Sequence, residues 1–178
     1  NNLFLIISKS GSTLETISNQ NISNQNNSKK IFITENKESY LRILANKSKS
    51  EIINHNNLIG GRYSVFSEVG MFPAQLMGLN PKKFRILDKL IKNKKFINCL
   101  IDNSVKIAQF QKKKKTNSII INYDYSSNDL FYWYQQLVAE SLGKNKSGIL
   151  PTLSVMPRDN HSLMQYYLDG VENHFFTL

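Results

Sequence analysis

The sequence predicts an α/β fold, a three-layer αβα arrangement built on parallel sheets. Two observations carry this. Short apolar runs such as Leu3–Ile7 alternate with stretches of helical spacing, the signature of strand–helix–strand units around a parallel sheet. The runs are apolar at consecutive positions, as strands covered on both faces require. The pattern breaks and restarts near 80–96, so we expect parts of two α/β units. The first occupies 1–80, a connecting helical region 81–96, and the second 97–178.

The elements follow in order. Leu3–Ile7 is the first strand, followed by a helix whose start, Ser12-Thr13-Leu14-Glu15, has capping-box spacing. "KKIFITEN" at 29–36 is a second strand, and "SYLRILANK" at 39–47 is a helix through Tyr40, Leu41, Leu44 and Ala45. "SEIINHNN" is a short strand and loop, and "GGRYS" at 60–64 a glycine turn. Residues 67–79 form a helix broken or kinked near Pro73, and Asn80-Pro81 stops it. Helices resume through "KFRILDKLIKNKKFINCLIDNSVKIAQFQKKKK". "NSIIINYDY" at 117–125 is a strand, and 126–144 a helix with Ser127 or Asn128 as N-cap and Gly143 as C-cap. "SVMPRDNHSLMQYYLDG" is a loop leading into a helix over 162–168, and "NHFFTL" is the last strand.

Composition narrows the function. At 178 residues and 40% hydrophobic content the chain can bury a core. The single Cys99 excludes an internal disulfide framework and a cysteine-based zinc site, and a reducing cytoplasm is the expected compartment. No apolar run approaches the ~18 residues of a membrane span, and no signal-peptide pattern opens the chain. The net charge of +10 favours polyanionic partners. Its lysines are spread through Asn- and Ile-rich sequence, however, and no base-reading motif accompanies them. We therefore expect no nucleic acid and no membrane as partner. The chain starts two residues before a strand and ends inside an apolar run, which leads us to expect an internal piece of a longer protein.

Three stretches carry chemistry. "SKSGST" gathers the hydroxyls of Ser8, Ser10, Ser12 and Thr13 around Lys9 and Gly11 at a strand-to-helix turn. Unpaired N–H groups and the positive end of the helix dipole meet there, so an anion is the expected ligand. The turn is not a G-x-x-x-x-G-K-[ST] loop, and a sugar phosphate fits better than a nucleoside triphosphate. "LIGGRYS" sets Arg62 beside Gly60 and Gly61, whose freedom permits an unusual turn and close backbone approach, and offers a fixed cation to a developing oxyanion. Gln136 and Glu140 lie four apart on one helix and share a face with Trp133, Leu137 and Val138 nearby. A partly buried carboxylate there would serve as a general base. His161 precedes the last helix, whereas His55 and His174 show no partnering pattern, and the three histidines are too scattered for a metal site.

"SKSGSTLET", "NLIGGRYSVFSEVG", "QQLVAESLGK" and "NHSLMQYYLDG", in this order and at suitable separations, resemble the glucose-6-phosphate isomerases, especially their bacterial branch. The resemblance covers nearly the whole chain, and "GGRYS" is its most diagnostic segment. It implies two sugar-isomerase (SIS) domains, the later part of one at 1–80 and the early part of another from 97. It implies interconversion of glucose 6-phosphate and fructose 6-phosphate through a cis-enediolate. Ser8, Lys9, Ser10 and Thr13 match the phosphate loop, with Gly61 and Gln136 also at the substrate. Arg62 matches the arginine that stabilises the enediolate, Glu140 the base between C1 and C2, and His161 the residue that helps open the sugar ring. The family implies a homodimer with His161 supplied across the interface, and neither metal nor cofactor. A non-catalytic sugar-phosphate-binding SIS module is the alternative. Departures exist. Glu68 stands where the family has a small or apolar residue, and Asp159-Asn160 precede His161 where many members have Gly-Gln. A further phosphate contact upstream of Ser8 and a C-terminal lysine linked to ring opening have no counterpart in these 178 residues.

Overall fold

The computed structural model describes residues 2–23 and 28–177. Leu178, the end of the last expected strand, lies outside them. The chain divides into two compact units, Asn1–Leu87 and Asp88–Leu178.

In the first unit, β1 (Leu3–Ile7), β2 (Lys29–Glu35) and β3 (Glu51–His55) form a parallel sheet in the order β1-β2-β3. Leu5 pairs with Ile31, and Ile31 with Glu51. Helices α1 (Leu14–Ser23) and α2 (Tyr40–Lys47) make the crossovers. Neighbours Phe32 and Ile33 of β2 point to opposite faces, and both are wholly buried. That is why this strand reads as a continuous apolar run. Phe32 packs with Ile6, Leu41 and Ala45, and with Ile17, Leu44 and Ile52 at the margin. Arg42 of α2 donates to Glu35 O and to Asn54 Oδ1, each at 2.8 Å, tying the helix to the ends of β2 and β3. After β3 comes a 3-10 turn, Gly61–Phe66, and then α3 (Glu68–Leu76), whose Pro73 lies inside the helix. Asn80 caps a second 3-10 turn at Pro81 by accepting from Lys82 N–H at 3.0 Å.

In the second unit, α4 (Asp88–Ile91) and α5 (Lys94–Lys112) precede β4 (Asn117–Asn122). Then follow α6 (Asn128–Leu142), β5 (Leu150–Val155), α7 (Arg158–Asp169) and β6 (His174–Thr177). The sheet is parallel, in the order β5-β4-β6. Ile119, Met156 and Tyr167 form its core with Ile121 and Met164. Phe110 of α5 stacks on Phe175 of β6 at 4.6 Å.

Two elements differ from expectation. Strand β5 was not foreseen, because Pro151 interrupts its pattern. Leu150 N–H bonds Thr116 O at 2.8 Å and Met156 N–H bonds Asn122 O at 2.8 Å. Alternation along the strand then turns the nitrogen of Pro151 away from β4, the one orientation in which a strand tolerates proline. Helix α7 starts at Arg158, well before the expected 162. Its first turn takes Asp159 and Asn160, expected in a loop; an acidic residue in a first turn suits the positive end of the helix dipole.

Candidate functional site

The β1–α1 turn assembles within the first unit. Gly11 has φ +65°, and a Cβ on it would lie 2.1 Å from Ser39 Oγ at the start of α2. Only glycine fits there without displacing that neighbour. Ser8, 6% exposed, lies with its Oγ 2.7 Å from Thr13 Oγ1 and accepts from Gly11 N–H at 3.2 Å. Ser12 N–H donates to Ser10 Oγ at 3.2 Å. Ile17 N–H bonds Thr13 O at 3.0 Å, so Thr13 stands at the N-cap and the expected Ser12–Glu15 capping box is out of register by one residue. Ser10, Ser12 and Thr13 face solvent around the helix N-terminus. The turn thus combines exposed hydroxyls with the N-terminal end of a helix dipole, which together suit a phosphate group. Lys9 pairs with Glu35 at 3.1 Å and donates to Asn57 O at 2.9 Å, so its ammonium joins the C-terminal ends of β1 and β2 to the loop after β3.

That loop carries Arg62. Gly60 has φ −65° and ψ 150°, an ordinary extended conformation, so the unusual turn expected of it is not there. Gly61 faces open space: no atom lies within 4 Å of where its Cβ would sit. Tyr63 N–H bonds Gly60 O at 3.0 Å and Ser64 Oγ donates to Gly61 O at 2.6 Å, closing the 3-10 turn. The half-buried Arg62 guanidinium lies 5.1 Å from the centroid of the Tyr63 ring, within cation–π reach. Glu68 has a partner that no sequence pattern indicates. His55, buried at the end of β3, hydrogen-bonds the Glu68 carboxylate through Nδ1 and Ile59 O through Nε2 at 3.1 Å. Burial pushes the Glu68 carboxyl upward, but the N–H groups of Glu68 and Asn56 and the His55 ring outweigh it and hold the group below its ordinary value. The two residues lie 13 apart on different elements, so no short-range pattern signals them.

The second unit places the remaining residues. Gln136 and Glu140 share one face of α6, with Gln136 Nε2 3.4 Å from Glu140 Oε2. Both are exposed, so the partial burial expected of this face is absent within the unit. The neighbouring apolar side chains Leu137 and Val138 turn to other faces of the helix, as the 100° step requires. His161 lies within α7 rather than ahead of it, and is exposed. Two residues before it, Asp159 is 6% exposed and holds the turn together. It accepts from Val155 N–H at 2.7 Å and from Arg158 Nε at 2.7 Å, and Ser154 Oγ lies 3.5 Å away. Tyr167 O–H reaches Ser154 Oγ at 3.1 Å. The Arg158 hydrogen bond, with those of Val155 and Ser154, keeps the Asp159 carboxyl below the usual carboxylate range despite its burial. A cleft of about 460 Å³ lies at the other end of this sheet, near Lys114, Lys146 and Gly148, and no expected site residue lines it. Among the described residues no group of three or more His, Cys, Asp or Glu is arranged to hold a metal ion, and no helix is long and apolar enough to cross a membrane.

Comparison with known proteins gives a consistent picture. No family model matches the chain. Curated relatives do. The glucose-6-phosphate isomerase of Methanocaldococcus jannaschii is 36% identical over 187 residues, covering 98% of this chain and 46% of the relative. That of Mycoplasmopsis pulmonis is 31% identical, covering 97% and 44%, and that of Acetivibrio thermocellus 32%, covering 97% and 42%. This chain therefore spans less than half the length of the curated relatives it matches. Among solved structures, a hypothetical protein from Thermus thermophilus superposes with a TM-score of 0.82 at 21% identity, over 98% of this chain and 46% of that one. The α/β architecture is thus shared with a solved structure.

Proposed function

We propose that this chain, similar to the glucose-6-phosphate isomerases along nearly all of its length, is part of an enzyme interconverting glucose 6-phosphate and fructose 6-phosphate. The observation that carries this reading is the β1–α1 turn. The exposed Ser10, Ser12 and Thr13 gather at the start of α1 around Gly11, whose positive φ and closeness to Ser39 favour glycine. In this reading the two units are parts of two SIS domains, and the site is completed in a homodimer with His161 supplied by the partner copy.

The chemistry divides among named residues. Ser8, Lys9, Ser10 and Thr13 bind the phosphate, whose binding energy orients the carbons at the other end of the sugar. Gly61 and Gln136 border the sugar, and His161 assists ring opening. Glu140 removes the proton from C2 of the aldose or C1 of the ketose and returns it to the other carbon. A placed carboxylate of this kind contributes roughly 10²–10⁴-fold. Arg62, a cation at any working pH, stabilises the enediolate oxygens.

The test is conversion of fructose 6-phosphate in D₂O by the full-length protein. Turnover with deuterium incorporated at C2 of the glucose 6-phosphate formed supports an enediolate and a protein base. Binding without turnover overturns the isomerase and leaves a sugar-phosphate-binding module.

A further inference from the structure

We infer that His55 and Glu68 are positioning residues that fix the Gly60–Gly61–Arg62 turn and thereby set the Arg62 guanidinium; this rests on the role proposed for Arg62 above. The loop from 56 to 67 is bracketed by the two side chains. His55 ends β3 and Glu68 begins α3. Their side chains meet, so the strand end and the helix start are joined directly beneath the loop. The same carboxylate oxygen also accepts from Asn56 N–H at 3.2 Å, which pins the first residue of the loop. The other ring nitrogen pins its middle. Ile59 O can only accept, so His55 Nε2 donates to it at 3.1 Å. That carbonyl sits immediately before the two glycines.

The glycines make this support necessary. Gly61 has no atom near its absent side chain, and Gly60 has only the Tyr63 ring. Neither can anchor its own backbone by packing, and glycine gives up the most conformational freedom when a chain is ordered. An arginine that must meet a transient charge needs its backbone fixed to within a fraction of an ångström. The His55 ring, with 0% of its side chain exposed, is a rigid spacer between the carboxylate and the Ile59 peptide. Downstream, Ser67 Oγ donates to Ser64 O at 2.7 Å, so the far side of the turn is held by the residue next to Glu68.

A double-mutant cycle in the full-length protein tests this. Arg62→Ala, Glu68→Ala and the pair are assayed for kcat and KM with fructose 6-phosphate, beside Glu68→Gln, which keeps the acceptor. Glu68→Ala is expected to lower kcat at least tenfold with KM changed less than threefold. Glu68→Gln should return kcat to within about threefold of the parent. In the Arg62→Ala background Glu68→Ala should cost less than twofold more, because its effect runs through the arginine. Additive losses, an unchanged kcat in Glu68→Ala, or a loss confined to KM overturns the inference. If Glu68→Ala does not fold, His55→Gln runs the same cycle with the same readings. An unchanged kcat in Arg62→Ala instead overturns the role proposed for Arg62, and an inactive parent overturns the isomerase reading, so the three failures are distinguishable.

Discussion

The β1–α1 turn and the faces of α6 and α7 both carry candidate site residues, yet the fold treats them differently. In the turn, Ser8, Gly11 and Thr13 are bound to one another and seated against Ser39. On α6 and α7, Gln136, Glu140 and His161 stand exposed. The difference follows from where each group sits. A residue at a strand-to-helix turn is fixed by the backbone hydrogen bonds of the sheet and the helix start together. A residue on an outward helix face is fixed only by what lies against that face. The phosphate-binding role we propose therefore falls on a turn organised inside the first unit, whereas the roles proposed for Gln136, Glu140 and His161 fall on side chains that their own unit leaves exposed.

Substitutions sharpen this contrast. Glu140→Gln, nearly isosteric, should lower kcat for fructose 6-phosphate by two or more orders of magnitude while leaving thermal stability unchanged, as steady-state assays and a melting curve will check. Gly11→Ala places a methyl group on Ser39 Oγ at a positive φ, and should lower both stability and phosphate affinity. A drop in Tm together with a raised KM is the expected result. Ser8→Ala removes the hydroxyl that meets Thr13 and Gly11, and should raise KM by about tenfold with kcat little altered. A kcat loss instead would mean that the turn does more than bind.

The smallest effect concerns α7. Asp159 is held below its ordinary value, first by the hydrogen bond from Arg158. Its folded value lies under its unfolded one, near 4, so its contribution is present above that pH and fades as pH falls through the folded value. Wild type should therefore melt above Asp159→Asn at pH 6, and the gap should close as the pH is lowered below about 4. A gap independent of pH would contradict the assignment.

Legibility in the sequence tracks locality. The hydroxyl turn could be read because its groups lie within a few residues and follow an unmistakable apolar strand. The α/β plan could be read because β2 and β4 are buried at consecutive positions, Phe32 to Thr34 and Ser118 to Ile120, and so appear as unbroken runs. Strand β5 could not, since Pro151 is acceptable only once its nitrogen is known to point off the sheet. The start of α7 was hidden because Asp159 and Asn160 favour both loops and first helical turns. The His55–Glu68 pair was hidden for a different reason. One residue looked partnerless and the other looked misplaced, and only the fold brings strand end and helix start together. The exposure of Glu140 is likewise hidden, because apolar neighbours in sequence do not imply burial in space.

The division of labour between turn and helix faces is tested most directly by the affinity of the full-length Glu140→Gln variant for fructose 6-phosphate, measured by calorimetry. The account predicts a Kd within about threefold of the parent's KM, with turnover lost. A Kd weakened as much as kcat would contradict it, because the base would then be part of the binding site and the turn would not hold the substrate on its own.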